Sequence, residues 1–282
     1  TLLSAWTGDG SGYQVAKTQP MKLAAMEGYY EGREGAGLVA VGLLNPDKEK
    51  YNDGKDPFIF RVEIPQMLSL LAKRELNAFV PGVKAIIEGG YVQKDGTVAL
   101  SEAEKIERGK KAIAALASYR SAKKEGNTAT ADSAYVTLQE NMAYFGYGYI
   151  KDVHHLVPNV PITFYAFRIM VMLGFYFILF FAVVLFLVYK DKLAEMKWMH
   201  WIALLTIPLG YIAAEAGWVV AECGRQPWAI QDLLPTSASV SRVSVGSVQL
   251  TFYIFLVLFT VMLIAEVGIM LREIKKGPEL NK

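Results

Sequence analysis

The apolar positions of this chain follow two different regimes. From residue 169 onward they form long runs almost free of charge. Ile169–Tyr189 is 21 residues without a charge, Trp198–Ala221 is 24 with Glu215 alone, and Val248–Ala265 is 18 with none, the run resuming past Glu266 to Leu271. About 20 apolar residues in a helix cross the ~30 Å hydrocarbon core of a bilayer. The pattern therefore predicts three transmembrane helices, at 163–189, 198–222 and 247–271. As a soluble core, three such runs would be hard to cover with this chain's polar surface.

Residues 9–162 mix apolar and polar positions at short range. Asp9-Gly10-Ser11-Gly12 reads as a glycine-rich turn. A helical stretch is predicted from about Pro20 to Tyr30, then a loop over 31–57, which is rich in Gly, Asp and Lys. Pro65–Leu76 returns to helical apolar spacing. Ser101-Glu-Ala-Glu104 is a capping-box pattern that opens a helix to about Lys124, with an apolar stripe of Ile106, Ile113, Leu116 and Tyr119. Gly126–Thr130 breaks it, and a last helix is predicted from about Asp132 to Ile150. So long a segment between two spans is more than a connector and reads as a functional or docking domain. Residues 1–8 are an apolar scrap too short to span, read as the end of a truncated transmembrane helix. The fold class expected is an all-α membrane protein, with three transmembrane helices and a large, mostly helical extracytoplasmic loop domain, forming part of a larger helical bundle.

Charge sharpens this division. Of 29 basic and 27 acidic residues, 19 of each sign fall in residues 1–167. A net charge of +2 argues against a nucleic-acid binder, which needs a basic field. One cysteine allows no internal disulfide, and three histidines with it make no zinc-type cluster. The loop at 190–197 carries Lys190, Lys192 and Lys197, and the tail at 272–282 carries Arg272, Lys275, Lys276 and Lys282. The loop at 223–246 has only Arg225 and Arg242. Basic residues favour the cytoplasmic side, so residues 9–162 and 223–246 are expected to be extracytoplasmic, in a bacterial or archaeal plasma membrane. Trp198, Trp201, Trp218 and Trp228 near helix ends fit an aromatic belt.

Ionisable residues within membrane helices need a partner or a task. Four stand out: Arg168 at the start of the first span, Glu215 inside the second, Glu222 at its outer end, and Glu266 near the inner end of the third. Glu215 and Glu222 are seven apart, on one face and about 10.5 Å apart along the axis. With Tyr211 and Trp218 they form a polar-aromatic stripe expected to face the bundle interior. A carboxylate at the depth of Glu215 suggests a metal ligand, a proton relay or an ion site.

At this point a family resemblance emerges. Glu222-Cys223-Gly224-Arg225-Gln226-Pro227-Trp228, followed by Leu234-Pro235-Thr236, resembles a signature of subunit I of cytochrome bd quinol oxidases. Gly217-Trp218 and Phe167-Arg168-Ile169-Met170-Val171 resemble that family too. Gly8-Asp9-Gly10-Ser11-Gly12-Tyr13 and Lys22-Leu23-Ala24-Ala25-Met26-Glu27 resemble the start of its quinol loop, here in the long form. The resemblance runs from residue 1 to about 278.

The resemblance implies a respiratory oxidase subunit that oxidises quinol at the extracytoplasmic face and reduces O2 to water, building a proton gradient without a pump. Its cofactors would be a low-spin heme b, a high-spin heme b and a heme d (or a further heme b). Met170 would be the thioether ligand of the low-spin heme iron, with Arg168 nearby. Glu222 would ligate the high-spin iron, leaving Glu215 as a proton-relay candidate beside the weaker Glu266. Lys22 and Glu27 would serve quinol oxidation, the carboxylate taking a proton and the ammonium polarising an oxygen. Arg225 would pair with heme propionates, and Trp218 and Trp228 would pack in the heme environment. The family's histidine ligands lie in helices before the quinol loop, and His154, His155 and His200 do not match them. The chain is therefore read as the C-terminal part of the subunit. Its partners would be the N-terminal part of subunit I, subunit II, small single-helix subunits and membrane lipid. The alternatives weighed are a non-catalytic or electron-transfer paralogue, and a transporter or sensor using Glu215 as an ion site.

Overall fold

The computed structural model of the chain describes residues 2–93 and 95–277. It divides into two units, one running to Ser239 and one starting at Val240.

The first unit opens with α1 (Leu2–Thr18), which runs straight through Asp9–Gly12, where the sequence predicted a turn. Tertiary contacts override the weak helix propensity of glycine: Ala16 is buried against α3, and Arg74 holds Asp9 by two hydrogen bonds. Then comes α2 (Pro20–Glu27), with proline in its first turn, where no N–H is needed, and Gly28 closing it at φ 60°. Gly28 suits that left-handed position, and a Cβ there would also lie 2.9 Å from the Phe58 ring.

The region read as loop contains strands. β1 (Arg33–Glu34) pairs with β4 (Phe79–Val80), and β2 (Leu38–Leu44) pairs with β3 (Phe58–Ile64), both antiparallel. Two bulges in the second pair hide the alternation that would have marked it in the sequence. α3 (Met67–Lys73) and α4 (Val83–Glu88) follow.

α5 (Glu102–Glu125) begins as the capping pattern predicted, with Ser101 accepting from the Glu104 amide. Of the expected stripe Ile106 is buried, and the rest of the buried seam is made of Gly109, Ala112, Ala115 and Ala122, with Ile113, Leu116 and Tyr119 half-buried. The small residues let backbones meet: a Cβ at Gly109 would collide with Gly148 N and Tyr144 O. α6 (Thr128–Asn141) starts at an Asn127 cap, a 3-10 turn at Met142–Tyr149 replaces the end of the predicted last helix, and a second follows at Val153–Leu156.

Two long apolar helices complete the unit, α7 (Val160–Tyr189) and α8 (Lys197–Cys223), which pack on each other. A short hairpin, β5 (Trp228–Ile230) and β6 (Leu234–Pro235), follows. The second unit is α9 (Val245–Lys276), capped by Ser244. α7, α8 and α9 are long and apolar enough to cross a membrane, with mean hydropathies of 2.9, 1.5 and 2.7 over their best windows. They extend a few residues beyond the expected limits.

Candidate functional site

The short helix α2 lies where the ends of α7 and α8 meet. Leu23 and Met26 share one apolar cluster with Ala166 of α7, Val220 of α8 and Ala16, Ala36, Leu68, Ala72 and Val80 of the polar segment. That cluster fixes α2 and so aims its two charged side chains.

Glu27 is buried, 3% exposed, and Arg168 Nη2 donates to its Oε2 at 2.6 Å. Arg168 Nη1 donates to Met26 O at 3.2 Å, and the guanidinium lies 4.5 Å from the Phe164 ring centroid and 5.2 Å from that of Phe167. Arg168 Nε is buried without a hydrogen-bond partner. Burial pushes the Glu27 carboxyl up to about 6 against the pull of Arg168. A charge this enclosed survives only because a counter-charge meets it.

Lys22 goes elsewhere. Its ammonium donates to Ala221 O at 3.3 Å, and its stem packs over Gly224, where a Cβ would lie 3.0 Å from it. Burial lowers its pKa, Arg225 lowers it further, and Glu222 opposes both. Lys22 and Glu27, both expected to serve quinol oxidation, thus point to different spans. Glu222 itself is half-exposed and accepts from Arg225 through Oε2. Arg225 Nε is buried and unpartnered.

Met170 is half-buried on α7, its sulfur directly over Gly217, where a Cβ would approach to 3.1 Å. Glycine there opens room for a thioether at the helix seam. Glu215, Tyr211 and Trp218 lie exposed on α8, whereas Ala216, Gly217 and Val220 are covered. Glu266 lies on α9.

Trp228, expected beside a macrocycle, is 4% exposed and sits in a core cluster with Ile106, Tyr147, Ile150 and Leu156, its ring 4.8 Å from that of Tyr147. The same corner contains residues that the sequence reading passed over. Tyr147 donates to Asp232 Oδ1 at 2.6 Å, and Lys105 donates to the buried Glu102 at 2.8 Å. Burial raises the pKa of both Tyr147 and Glu102.

No group of three or more His, Cys, Asp or Glu gathers as a metal site among the described residues. Heme needs fewer ligands, and the donor set suits it. A thioether stands at a helix seam, a carboxylate stands at a helix end, and two buried guanidinium N–H groups await acceptors such as propionates. His200 lies 17 residues before Gly217 on α8, about 25 Å away along the axis. It cannot serve the same iron as Met170.

The family model for cytochrome bd terminal oxidase subunit I matches residues 1–278. The chain is 32% identical over 273 residues to the cytochrome bd-II ubiquinol oxidase subunit 1 of Escherichia coli K12, covering 96% of this chain and 51% of that protein. It is 28% identical over 267 residues to the cytochrome bd ubiquinol oxidase subunit 1 of Bacillus subtilis 168, covering 94% and 43%. The bd oxidase structure from Geobacillus thermodenitrificans aligns with 98% of this chain and 46% of its own, at a TM-score of 0.59 and 25% identity. The chain spans about half the length of the curated relatives it matches. It belongs to the cytochrome bd terminal oxidase subunit I family.

Proposed function

We propose that this chain forms the quinol-side and heme-lining part of a respiratory quinol:O2 oxidoreductase. The observation that carries the reading is the Glu27–Arg168 pair: a carboxylate of the polar segment bonded to a residue two positions before a seam thioether. Quinol oxidation releases protons and electrons together. A proton acceptor on α2, held by a residue two positions from an electron-carrier ligand on α7, suits that reaction.

Glu27, with a pKa near 6, is matched to accept a hydroxyl proton on the oxygen that Arg168 does not occupy. Lys22 holds the end of α8 and offers an ammonium to a quinol oxygen. Arg168 keeps Glu27 in place and balances its charge. Met170 would hold the iron of a low-spin heme b, and Glu222 that of a high-spin heme b, through the oxygen not bonded to Arg225. A soft thioether favours an electron carrier, and a hard carboxylate favours a high-spin iron. Arg168 and Arg225 would meet propionates through their unpartnered Nε–H groups, and Trp218 would line the same space. Heme, when bound, supplies the one-electron relay and the O2-reducing centre, whose third member would be heme d or heme b. Glu215, on the helix below Glu222, is the residue suited to relay protons inward.

The lysine-rich loop between α7 and α8 supports a cytoplasmic position for that side, with residues 9–162 extracytoplasmic. Proton release outside and proton uptake inside would then separate charge without a pump. Working partners would be a histidine-bearing N-terminal part of subunit I, subunit II and small single-helix subunits.

The test is Met170→Leu in the assembled oxidase, read by reduced-minus-oxidised spectra. Loss of the low-spin b band is expected, and an unchanged band overturns the ligand assignment. Glu27→Ala should depress quinol oxidation while sparing turnover with an artificial donor, and equal loss of both would refute a quinol-specific role.

A further inference from the structure

The β2–β3 hairpin has two unlike faces. Cross-strand partners share a face, so the pairs Leu38–Ile64, Val41–Val62 and Leu43–Phe60 lie together. The bulges between Val39 and Val41 and between Leu43 and Leu44 shift the alternation. They turn Val39, Leu44 and Phe58 to the other side, into a core with the fully buried Phe164 of α7. The remaining face is apolar and open: Val41, Leu43, Phe60, Val62 and Ile64 are 55, 51, 58, 50 and 42% exposed. A patch of that kind marks an interaction surface.

Its depth follows from its anchor. The Leu44 amide donates to Tyr165 Oη at 3.0 Å, and Phe58 packs edge-on against Phe164. Both anchors sit in the second turn of α7. The uncharged run Ile169–Tyr189 is 21 residues, about 31 Å at helical rise, which fills the hydrocarbon core by itself. Phe164 and Tyr165 then lie about 6–8 Å above it, within the headgroup layer. Ile162 and Tyr165 of the same turns are also exposed, at 48 and 38%.

We propose that the β2–β3 hairpin is a membrane-contact element. Its open face rests in the boundary between headgroups and acyl chains, in the leaflet at the N-terminal end of α7, and lipid is its occupant. Continuity with the apolar surface of α7 favours lipid over protein here, as for interfacial elements generally. The inference does not depend on heme or quinol chemistry.

The experiment places a nitroxide at Leu43→Cys and, separately, at Phe60→Cys in the assembled oxidase reconstituted in phosphatidylcholine–phosphatidylglycerol vesicles. Leu179→Cys in the middle of α7 and Ser121→Cys on exposed α5 supply the lipid and water references, and the labelled parent protein supplies the background. Both hairpin positions should collide with O2 several-fold more, and with a water-soluble nickel chelate several-fold less, than Ser121→Cys. A profile like that of Ser121→Cys would put the face in water and overturn the proposal. Protection from both reagents would mean that a protein surface covers it, and would overturn it equally.

Discussion

Arg168→Met should change how the stability of the protein depends on pH. In the parent, burial holds the Glu27 carboxyl at about 6 against an ordinary value of 4.5. The folded state therefore binds that proton more tightly than the unfolded one. Its stabilising effect is complete below about 4.5 and is lost as pH rises through 6. Over that window the loss is about 2 kcal/mol, after which the Glu27 contribution is flat. Removing the guanidinium leaves burial unopposed, so the carboxyl rises towards the values of about 8–9 known for buried glutamates. The variant should keep losing about 1.4 kcal/mol per pH unit past pH 6, reaching about 3 kcal/mol relative to the parent at pH 8. This adds to any pH-independent cost of the substitution. The assay is denaturation in detergent micelles at pH 5, 6, 7 and 8 for the parent, Arg168→Met and Glu27→Gln/Arg168→Met. The double variant lacks the titrating group and should lose the extra slope. Parallel profiles for the parent and Arg168→Met above pH 6 would refute the electrostatic coupling of the pair.

Other outcomes follow from the same geometry. Tyr147→Phe removes the 2.6 Å bond to Asp232, at about 1–2 kcal/mol, and should speed limited proteolysis between residues 229 and 244; unchanged cleavage would show that the contact does not hold that loop. Gly109→Ala drives a methyl into the backbone at Gly148 and Tyr144, at about 1–3 kcal/mol or more, and should release the 142–149 turn from α5, measured as faster amide exchange in that turn. Ser101→Ala removes the acceptor of the Glu104 amide, costs about 1 kcal/mol, and should accelerate exchange of the first turn of α5 alone.

The three long apolar helices were legible because a bilayer imposes a length that composition must meet, and Ser101 was legible because capping is local. Elements set by distant contacts were not. Nothing within Asp9–Gly12 announces a helix; Arg74, 65 residues away, helps to hold it. The β2–β3 pair escaped notice because each bulge resets the period that would have revealed it. Motif positions singled out Lys22, Glu27, Arg168 and Met170. Periodicity could not say that Glu27 meets Arg168, 141 residues on, or that Lys22 turns to α8. Nor could the loop signature show that Trp228 packs against Tyr147, 81 positions earlier.

The seating of α2 also dictates an order of assembly. Its last residue waits for Arg168 and its Lys22 for Ala221, a partner 199 positions later. At about 5–20 residues per second, roughly 10–40 s of synthesis separate the helix from the second of its two docking sites. Until Arg168 is made, 141 positions after Glu27, the carboxylate has no counter-charge to enclose it. The Glu27–Arg168 pair is thus completed only after α7 has been made and the short helix has closed over its end.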